Sequence, residues 1–487
     1  LVQVSASPLS LRLIPCLTAL ALVCLACEDE TAQRGVDAGE TALAPPHWNR
    51  EISLHEAPDQ NPDPAVVEVE LEARVEQVEL APGQHVSMWT YDGLFPGPLI
   101  RAKAGQTLRV HFTNNLPEPT TIHWHGLEVD NEMDGAPPVQ SPVIPGESFD
   151  YELRLPHAGT FWYHPHVDSS AQLWRGLYGP MVIDEPEEPA LGREAVIVLD
   201  DILLEADGSL ASPEENGNLG DFFGREGDTM LVNGRVQPTI DAHAGDALRL
   251  RFINVSNSHY FKPSALGHPL WQIGSDGGFL ERPVEVSEIP LSPGERADSV
   301  LFVEGEPGEV IEIVSRPYPR YACGAACWPE QPLFRIRVVA GRGAPVSLPT
   351  RLTTIEAVDV SAAVAQTIRA EEGSIEGQAV LGFNGVFPPD ELMLEAKTGE
   401  TLVWTLENPT DYGHPFHLHG FRFQVLSIDG TKPAVRAWKD TLALPPQSTS
   451  VIAMQLDDRA GHWMFHCHIL DHAKIGMMGM LHVAHGH

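Results

Sequence analysis

Near the C-terminus, His466-Cys467-His468 is followed by His472 and Met477. On a strand, successive side chains point to opposite faces, so Cys467 points one way and its two neighbours the other. A thiolate, an imidazole and a thioether are the donors of a blue-copper electron-transfer site. The two histidines on the far face suit a second metal centre. The tripeptide therefore reads as a wire, with electrons entering at Cys467 and leaving through its neighbours. The bland alternative is a core cysteine between two surface histidines.

Three further pairs have the same form: His123-Trp124-His125, His164-Pro165-His166 and His417-Leu418-His419. Each places both rings on one face of an extended segment. His414 has an odd spacing from His417 and His419, which puts it on the opposite face. Parity thus sorts the candidates into two sets. His414, Cys467, His472 and Met477 suit a mononuclear site, and the eight paired histidines suit a cluster of several metals. Together these account for ten of the 22 histidines. One His-x-His is weak evidence, but four of them, one flanking a Cys, are specific.

Such ligands need a scaffold, and an internal repeat supplies it. Tyr91-Asp92-Gly93, Val232-Asn233-Gly234 and Phe383-Asn384-Gly385 open three similar passages. Each continues through a turn glycine (Gly105, Gly245, Gly399) to an asparagine (Asn114, Asn254, Asn408). Between glycine and asparagine the pattern alternates as in a half-buried strand. The inward positions are Leu108, Val110 and Phe112, then Leu248, Leu250 and Phe252, then Leu402, Trp404 and Leu406. Three copies of one β-domain are predicted, spanning 64–186, 187–346 and 347–487, with joins rich in Pro and Gly. Short strands and few helical periods argue for β-sandwiches. His123 and His125 follow Asn114 at the offsets at which His417 and His419 follow Asn408. Pro263 and Ala265 hold those places after Asn254. The first and third domains therefore carry equivalent ligand pairs, the cluster is expected between them, and the middle domain becomes a spacer or a wall of the substrate site. Its His259 reads as structural.

The 487 residues suffice for two or three domains. The net charge is −36, from 67 acidic and 31 basic residues. That disfavours nucleic acid and anionic membrane surfaces as partners. Residues 1–27 carry one charge, Arg12, and an apolar run from Leu13 to Cys27, which reads as an export signal. Cys27 resembles a bacterial lipoprotein cleavage site, with Cys24 where Leu is usual. A lipid anchor at Cys27 and a simple signal cleaved slightly downstream are the two readings. The protein is then periplasmic, membrane-tethered or extracellular. Residues 28–63 are polar and Pro-rich and read as a flexible tether. Cys323 and Cys327 read as a short-loop disulfide in an oxidising compartment, ahead of a metal site.

The four histidine motifs, in this order and with these separations, resemble the three-domain, laccase-like multicopper oxidases over residues 64–487. The resemblance implies three cupredoxin-like Greek-key β-sandwiches, an all-β fold. It implies about four copper ions per chain. The type 1 copper would take His414, Cys467 and His472, with Met477 as a weak axial ligand. The type 2 copper would take His123 and His419. One type 3 copper would take His125, His164 and His468, and the other His166, His417 and His466. Asp134 matches an acidic position that relays protons or orients water. Ala473 stands where many bacterial relatives have Glu, so the second family relay is in doubt, and Asp471 precedes the ligand rather than following it. The implied partners are dioxygen, reduced to water, and a small reducing substrate. The chain lacks the Met-rich insertion of some copper-tolerance members; three of its ten Met crowd the type 1 loop (Met477, Met478, Met480). A phenol or aromatic amine is the first choice of substrate, and Cu(I), Fe(II) or Mn(II) the second. A non-catalytic copper binder or scaffold is the reading from another class, and the complete ligand set argues against it. His482, His485 and His487 read as a solvated tail rather than as a site for loose copper.

Overall fold

The computed structural model describes residues 52–486, apart from 215, 216, 319, 321–328 and 345. The export signal with Cys27, the Cys323–Cys327 pair, His487 and the first part of the tether lie outside the described residues. Among the described residues, no helix is long and apolar enough to cross a membrane.

The first sandwich contains β1 (Val66–Ala81), β2 (Gln84–Tyr91), β3 (Ile100–Lys103), β4 (Thr107–Asn114), β5 (His123–His125), β6 (Ser148–Arg154), β7 (Gly159–His164) and β8 (Gly179–Asp184). Its sheets run β2-β1-β4-β6 and β3-β8-β7-β5. Helix α1 (Ser169–Trp174) leads into β8. The second sandwich contains β9 (Arg193–Ile202), then α2 (Gly217–Phe223), β10 (Thr229–Val232), β11 (Thr239–His243), β12 (Ala247–Asn254), β13 (Pro263–Ala265), β14 (Leu270–Ser275), β15 (Gly278–Val286), β16 (Arg296–Phe302), β17 (Val310–Ser315) and β18 (Gln331–Val339). Its sheets run β10-β9-β12-β16-β14-β15 and β11-β18-β17-β13. The third contains β19 (Val364–Ile375), β20 (Gln378–Phe383), β21 (Leu392–Lys397), β22 (Thr401–Asn408), β23 (His414–Leu418), β24 (Gln424–Ile428), β25 (Thr441–Leu444), β26 (Ser448–Gln455), β27 (Gly461–Cys467), α3 (Leu470–Lys474) and β28 (Met478–Ala484). Its sheets run β20-β19-β22-β26-β24 and β21-β28-β27-β23-β25. Several strands that follow one another in sequence switch sheets, as β3 to β7 do in the first sandwich, which is Greek-key connectivity.

The repeat has a physical basis in each copy. Asp92, Asn233 and Asn384 lie at φ 57°, 51° and 52°, each followed by a glycine at φ 71°, 72° and 74°. Two successive left-handed residues make the tight hairpin turn that Asx-Gly favours. The inward triads on β4, β12 and β22 are each at most 1% exposed, and each triad strand pairs in parallel with the first strand of its sandwich. Each of these side chains contributes about 1.5–3 kcal/mol by burial. A one-residue slip would turn all three outward, so the register is strongly fixed. The asparagine after each triad then pins the next turn. The Nδ2 groups of Asn114, Asn254 and Asn408 donate to the carbonyls of Glu118, His259 and Tyr412 at 2.9, 2.9 and 2.8 Å. The positions just beyond are where the first and third sandwiches carry histidines.

Two expectations are corrected. Residues 52–63 are not a free tether: Ala57 donates its amide to Leu99 O, and Leu99 donates back to His55 O, at 2.9 and 2.7 Å. Leu54 packs against an apolar cluster shared by β7, β8, β9 and β12. His482 is not in a solvated tail either. It lies within β28 and pairs with His462 of β27.

Candidate metal centre

Strands β23 and β27 pair antiparallel with Phe416 opposite Cys467 and His417 opposite His466. That register puts His414, at the start of β23, near Cys467, at the end of β27. Helix α3 follows within three residues and returns His472 to the same spot. Cys467 Sγ lies 3.6 Å from His414 Nδ1 and 3.5 Å from His472 Nδ1, and the two nitrogens are 3.2 Å apart. All three residues are buried. Thr410 Oγ1 donates to Asn408 Oδ1, so it must accept from His414 Nε2, 3.0 Å away. The proton therefore sits on Nε2, and Nδ1 offers its lone pair beside the sulfur. Burial pushes the His414 pKa down to about 3 and that of Cys467 up to about 12. A neutral thiol and neutral imidazoles thus await a cation that would make the thiolate on binding. Met477 is fully buried in the same core, and its carbonyl accepts the Cys467 amide at 3.0 Å.

On the other face of β27, the eight paired histidines converge. Strand β5 supplies His123 and His125, β7 and the turn after it supply His164 and His166, β23 and the turn after it supply His417 and His419, and β27 with the residue just beyond it supplies His466 and His468. Several rings have one nitrogen held by an oxygen and the other left free. The Nδ1 groups of His123, His164, His417 and His466 donate to the carbonyls of Asp134, Pro165, Asp440 and Cys467 at 2.8, 2.9, 3.0 and 2.9 Å. His419 Nδ1 donates to Asp134 Oδ2 at 2.8 Å. His125 reverses the pattern: its Nε2 lies 3.1 Å from Asp440 Oδ1 and 3.0 Å from Thr441 Oγ1. The opposite nitrogens of His123, His125, His164 and His417 have no hydrogen-bond partner among the described residues. His419 Nε2 and His466 Nε2 face each other at 3.2 Å. Buried unpaired nitrogens are costly unless something binds them. Fixing one ring nitrogen and freeing the other is how proteins orient metal-ligating histidine. Burial, reinforced by neighbouring imidazoles, holds His125, His164, His166, His417 and His468 well below the usual histidine range. His419 falls to about 4 and His466 to about 3, also chiefly through burial. Neutral imidazole is the state that ligates, so the residues present fit a group of soft or borderline metal ions.

Donor-atom proximity favours one exchange in the expected grouping: the nitrogens of His166, His419 and His466 lie within 4.8 Å of one another, while those of His417 and His419 both lie that close to His123. His417 lies within β23 opposite Thr441 of β25. Asp440 O and Thr441 Oγ1, each 3.0 Å from Nδ1, fix its ring, which stacks on His125 at 3.8 Å between centroids. His419 lies past the strand end and reaches His466. His468 stands beside His125, with ring centroids 4.8 Å apart.

Asp134, 1% exposed, is where the sequence placed it. Burial alone would raise its pKa, but His419 and His123 hold it well below the usual carboxylate range. Asp471 does not face the cluster. Its carboxylate accepts from Arg225 Nη2 and the Arg225 amide, both at 2.7 Å, and from Ser170 of α1.

The middle sandwich does more than act as a spacer. Arg296, at the start of β16, is fully buried, and its Nη1 and Nη2 each donate to an Asp440 oxygen at 2.6 Å. Its Nε donates to Thr160 O of the first sandwich at 2.8 Å. One side chain thus ties all three sandwiches together behind His125. Gly294, at φ 88°, passes so close that an added Cβ would lie 3.0 Å from the His468 ring and 3.1 Å from His125. Neither Arg296 nor Asp440 has a sequence signature, since each is one charge among neighbouring charges (Glu295 and Asp298; Lys439).

Multicopper oxidase family models match residues 72–188, 193–309 and 357–487. The chain belongs to the multicopper oxidases. It is 30% identical to multicopper oxidase MmcO of Mycobacterium tuberculosis, over 91% of this chain and 88% of that protein. Among solved structures, it matches a Campylobacter jejuni multicopper oxidase described as a metallo-oxidase, with TM-score 0.79 and 28% identity, over 89% of this chain and 94% of that one. A Pseudomonas thermotolerans multi-copper oxidase matches with TM-score 0.75 and 33% identity, over 86% and 99%. Membership of this family implies copper binding and oxidation of a reducing substrate with dioxygen.

Proposed function

We propose that this multicopper oxidase is laccase-like, oxidising phenols or aromatic amines at a type 1 site and reducing dioxygen to water at a trinuclear cluster. One observation carries the two-centre reading: His466-Cys467-His468 joins a buried Cys/His/His set to a buried histidine cluster through a single tripeptide. His414, Cys467 and His472 would hold the type 1 copper, with Met477 as a further weak thioether donor. His123 and His417 would hold the type 2 copper. His125, His164 and His468 would hold one type 3 copper, and His166, His419 and His466 the other. Copper bound there supplies one-electron oxidation at the first centre and four-electron reduction of dioxygen at the second. Asp134 holds His123 and His419 in orientation, and it is the carboxylate through which protons consumed with dioxygen would pass. Asp440 and Arg296 fix His125.

A run of aromatic rings favours an organic substrate. Tyr412 lies 5.1 Å from His414 and 6.0 Å from His472, between ring centroids. Phe222 of α2 lies 5.6 Å from Tyr412, and Phe223 beside it is 38% exposed. Such a face suits a planar aromatic ring. The net charge of −36 favours the second reading, oxidation of Cu(I), Fe(II) or Mn(II). Oxygen uptake with phenols, aromatic amines and the three metal ions decides between them. Turnover confined to metal ions would overturn the aromatic assignment. Cys467→Ser is expected to lose the intense visible absorption and keep the cluster's copper. Colour retained in that variant would overturn the type 1 assignment.

A further inference from the structure

Four of the ten methionines (Met393, Met464, Met478 and Met480) lie on the face of the third sandwich opposite to Cys467. Strands β27 and β28 set His462 opposite His482, Met464 opposite Met480 and His466 opposite Met478. The parallel neighbour β21 sets Glu395 beside His482 and Met393 beside Met480. The alternate residues Trp463, Phe465, Cys467, Leu481 and Val483 fill the core. The named side chains therefore share the opposite face. That face meets the first sandwich, where Met464 and Met480 pack with Ala136 and Asn131 Nδ2 donates to His462 O at 2.7 Å.

The rows descend from solvent to the cluster. His462 is exposed, and its ring stacks on His482 at 4.6 Å between centroids and an interplanar angle of 13°. Glu395 Oε2 lies 2.8 Å from His482 Nδ1. In the next row, Met393 is 49% exposed, while Met464 and Met480 are 7% and 3% exposed. The third row is His466, 1% exposed, whose Nε2 faces His419. Rows two residues apart on a strand are separated by about 6.6 Å. Imidazole binds copper in either oxidation state, whereas thioethers select the cuprous ion. A strongly acidic protein also concentrates cations at its surface. Packing alone would be served by leucine; two facing thioethers between two rows of histidine supply donors at each step.

We propose that this face takes up cuprous ion for the cluster. His462, His482 and Glu395 form the outer station, Met464 and Met480 the inner one, and His466 receives the ion. The inference rests on the reading of the buried histidines as a copper cluster. No electron is transferred on the way, so silver(I) can stand in for copper(I). Calorimetric titration of the copper-loaded full chain with silver(I) is expected to show a site weakened at least tenfold in Met464→Leu/Met480→Leu. Those substitutions keep the volume and remove the donors. Copper(I) delivered from a chelator to the copper-free full chain, read as bound metal over time, is expected to enter at least tenfold more slowly in that variant. His462→Ala/His482→Ala, altered only at the outer station, should also slow entry, and both variants should reach the wild-type copper content in the end. If the wild type fills while both variants fill as fast and bind silver as well, the track is wrong and the copper cluster stands. If the wild type takes up no copper at equilibrium, the cluster reading fails and this proposal with it.

Discussion

Cys467 is the residue on which both centres depend, and its surroundings show how little of a metal site the metal needs to organise. His414 is already the correct tautomer because Thr410 has only a lone pair to offer it. Met477 is held by backbone bonds on both sides, its amide donating to His472 O at 2.9 Å and its carbonyl accepting from Cys467. A thioether donor at the proposed type 1 site would tune potential rather than hold the metal. Met477→Leu is therefore expected to keep the copper and its blue colour and to raise the reduction potential of the site. Redox titration checks this, and an unchanged potential would assign Met477 to packing alone. The histidines make a second prediction. His414 and His466 titrate at about 3 and His419 at about 4 in the folded, metal-free chain, against about 6.5 when unfolded. Between those values the unfolded chain binds more protons than the folded one, so stability falls as pH falls. The metal-free protein is expected to lose stability steadily below about pH 6.5. Urea titrations at stepped pH measure this. A flat profile between pH 4 and 6.5 would mean that the rings are not buried as neutral imidazoles.

Among the elements, β16 and the loop before it have the least obvious role. Nothing in this stretch ligates, yet Arg296 and Gly294 settle where His125 and His468 can stand. The Arg296–Asp440 pair is bidentate and buried, and removing one partner of such a pair costs about 3–5 kcal/mol. Arg296→Met is expected to destabilise the full chain by that order in chemical denaturation. It should also reduce cluster copper while leaving the type 1 colour, because the Cys467 site makes no contact with Arg296. Equal loss at both centres would show general unfolding instead. Gly294→Ala tests the same contact from the other side. Its Cβ would crowd both rings, which would have to give by a few tenths of an ångström, and φ 88° is strained for alanine. Lower copper content at the cluster, with the type 1 absorption kept, is the expected result.

At the scale of the whole molecule, the cluster is an interface. Two of its histidine pairs come from the first sandwich and two from the third, with the second sandwich bracing both. Residues 64–186 alone are therefore expected to bind no coupled dicopper pair, as read by metal content and magnetic resonance. A fragment that did so would contradict the shared-cluster reading. Copper held across sandwiches also stabilises by mass action, since the unfolded chain lacks the site. Chelation of the loaded protein is expected to lower its Tm.

Much of this was determined by the sequence alone. The inward triads, the Asx-Gly turns and the histidine pairs depend on local pattern, and a strand's period of two sorts their faces without any tertiary knowledge. That is why three sandwiches, two donor sets and the involvement of Asp134 were legible. Tertiary structure decided what depends on reach across elements. Parity placed His417 and His419 on one face, and only the folded chain shows that the His417 ring is held by Asp440 and Thr441 while His419 Nε2 faces His466. Arg296, Asp440 and Gly294 carry no periodic or motif signal, because their partners lie on other sandwiches. His482 read as tail because chain position says nothing of pairing, and only β27 and β21 make it part of a row. Met478 and Met480 seemed to belong with Met477 by proximity in sequence, yet β28 turns them away from the type 1 site.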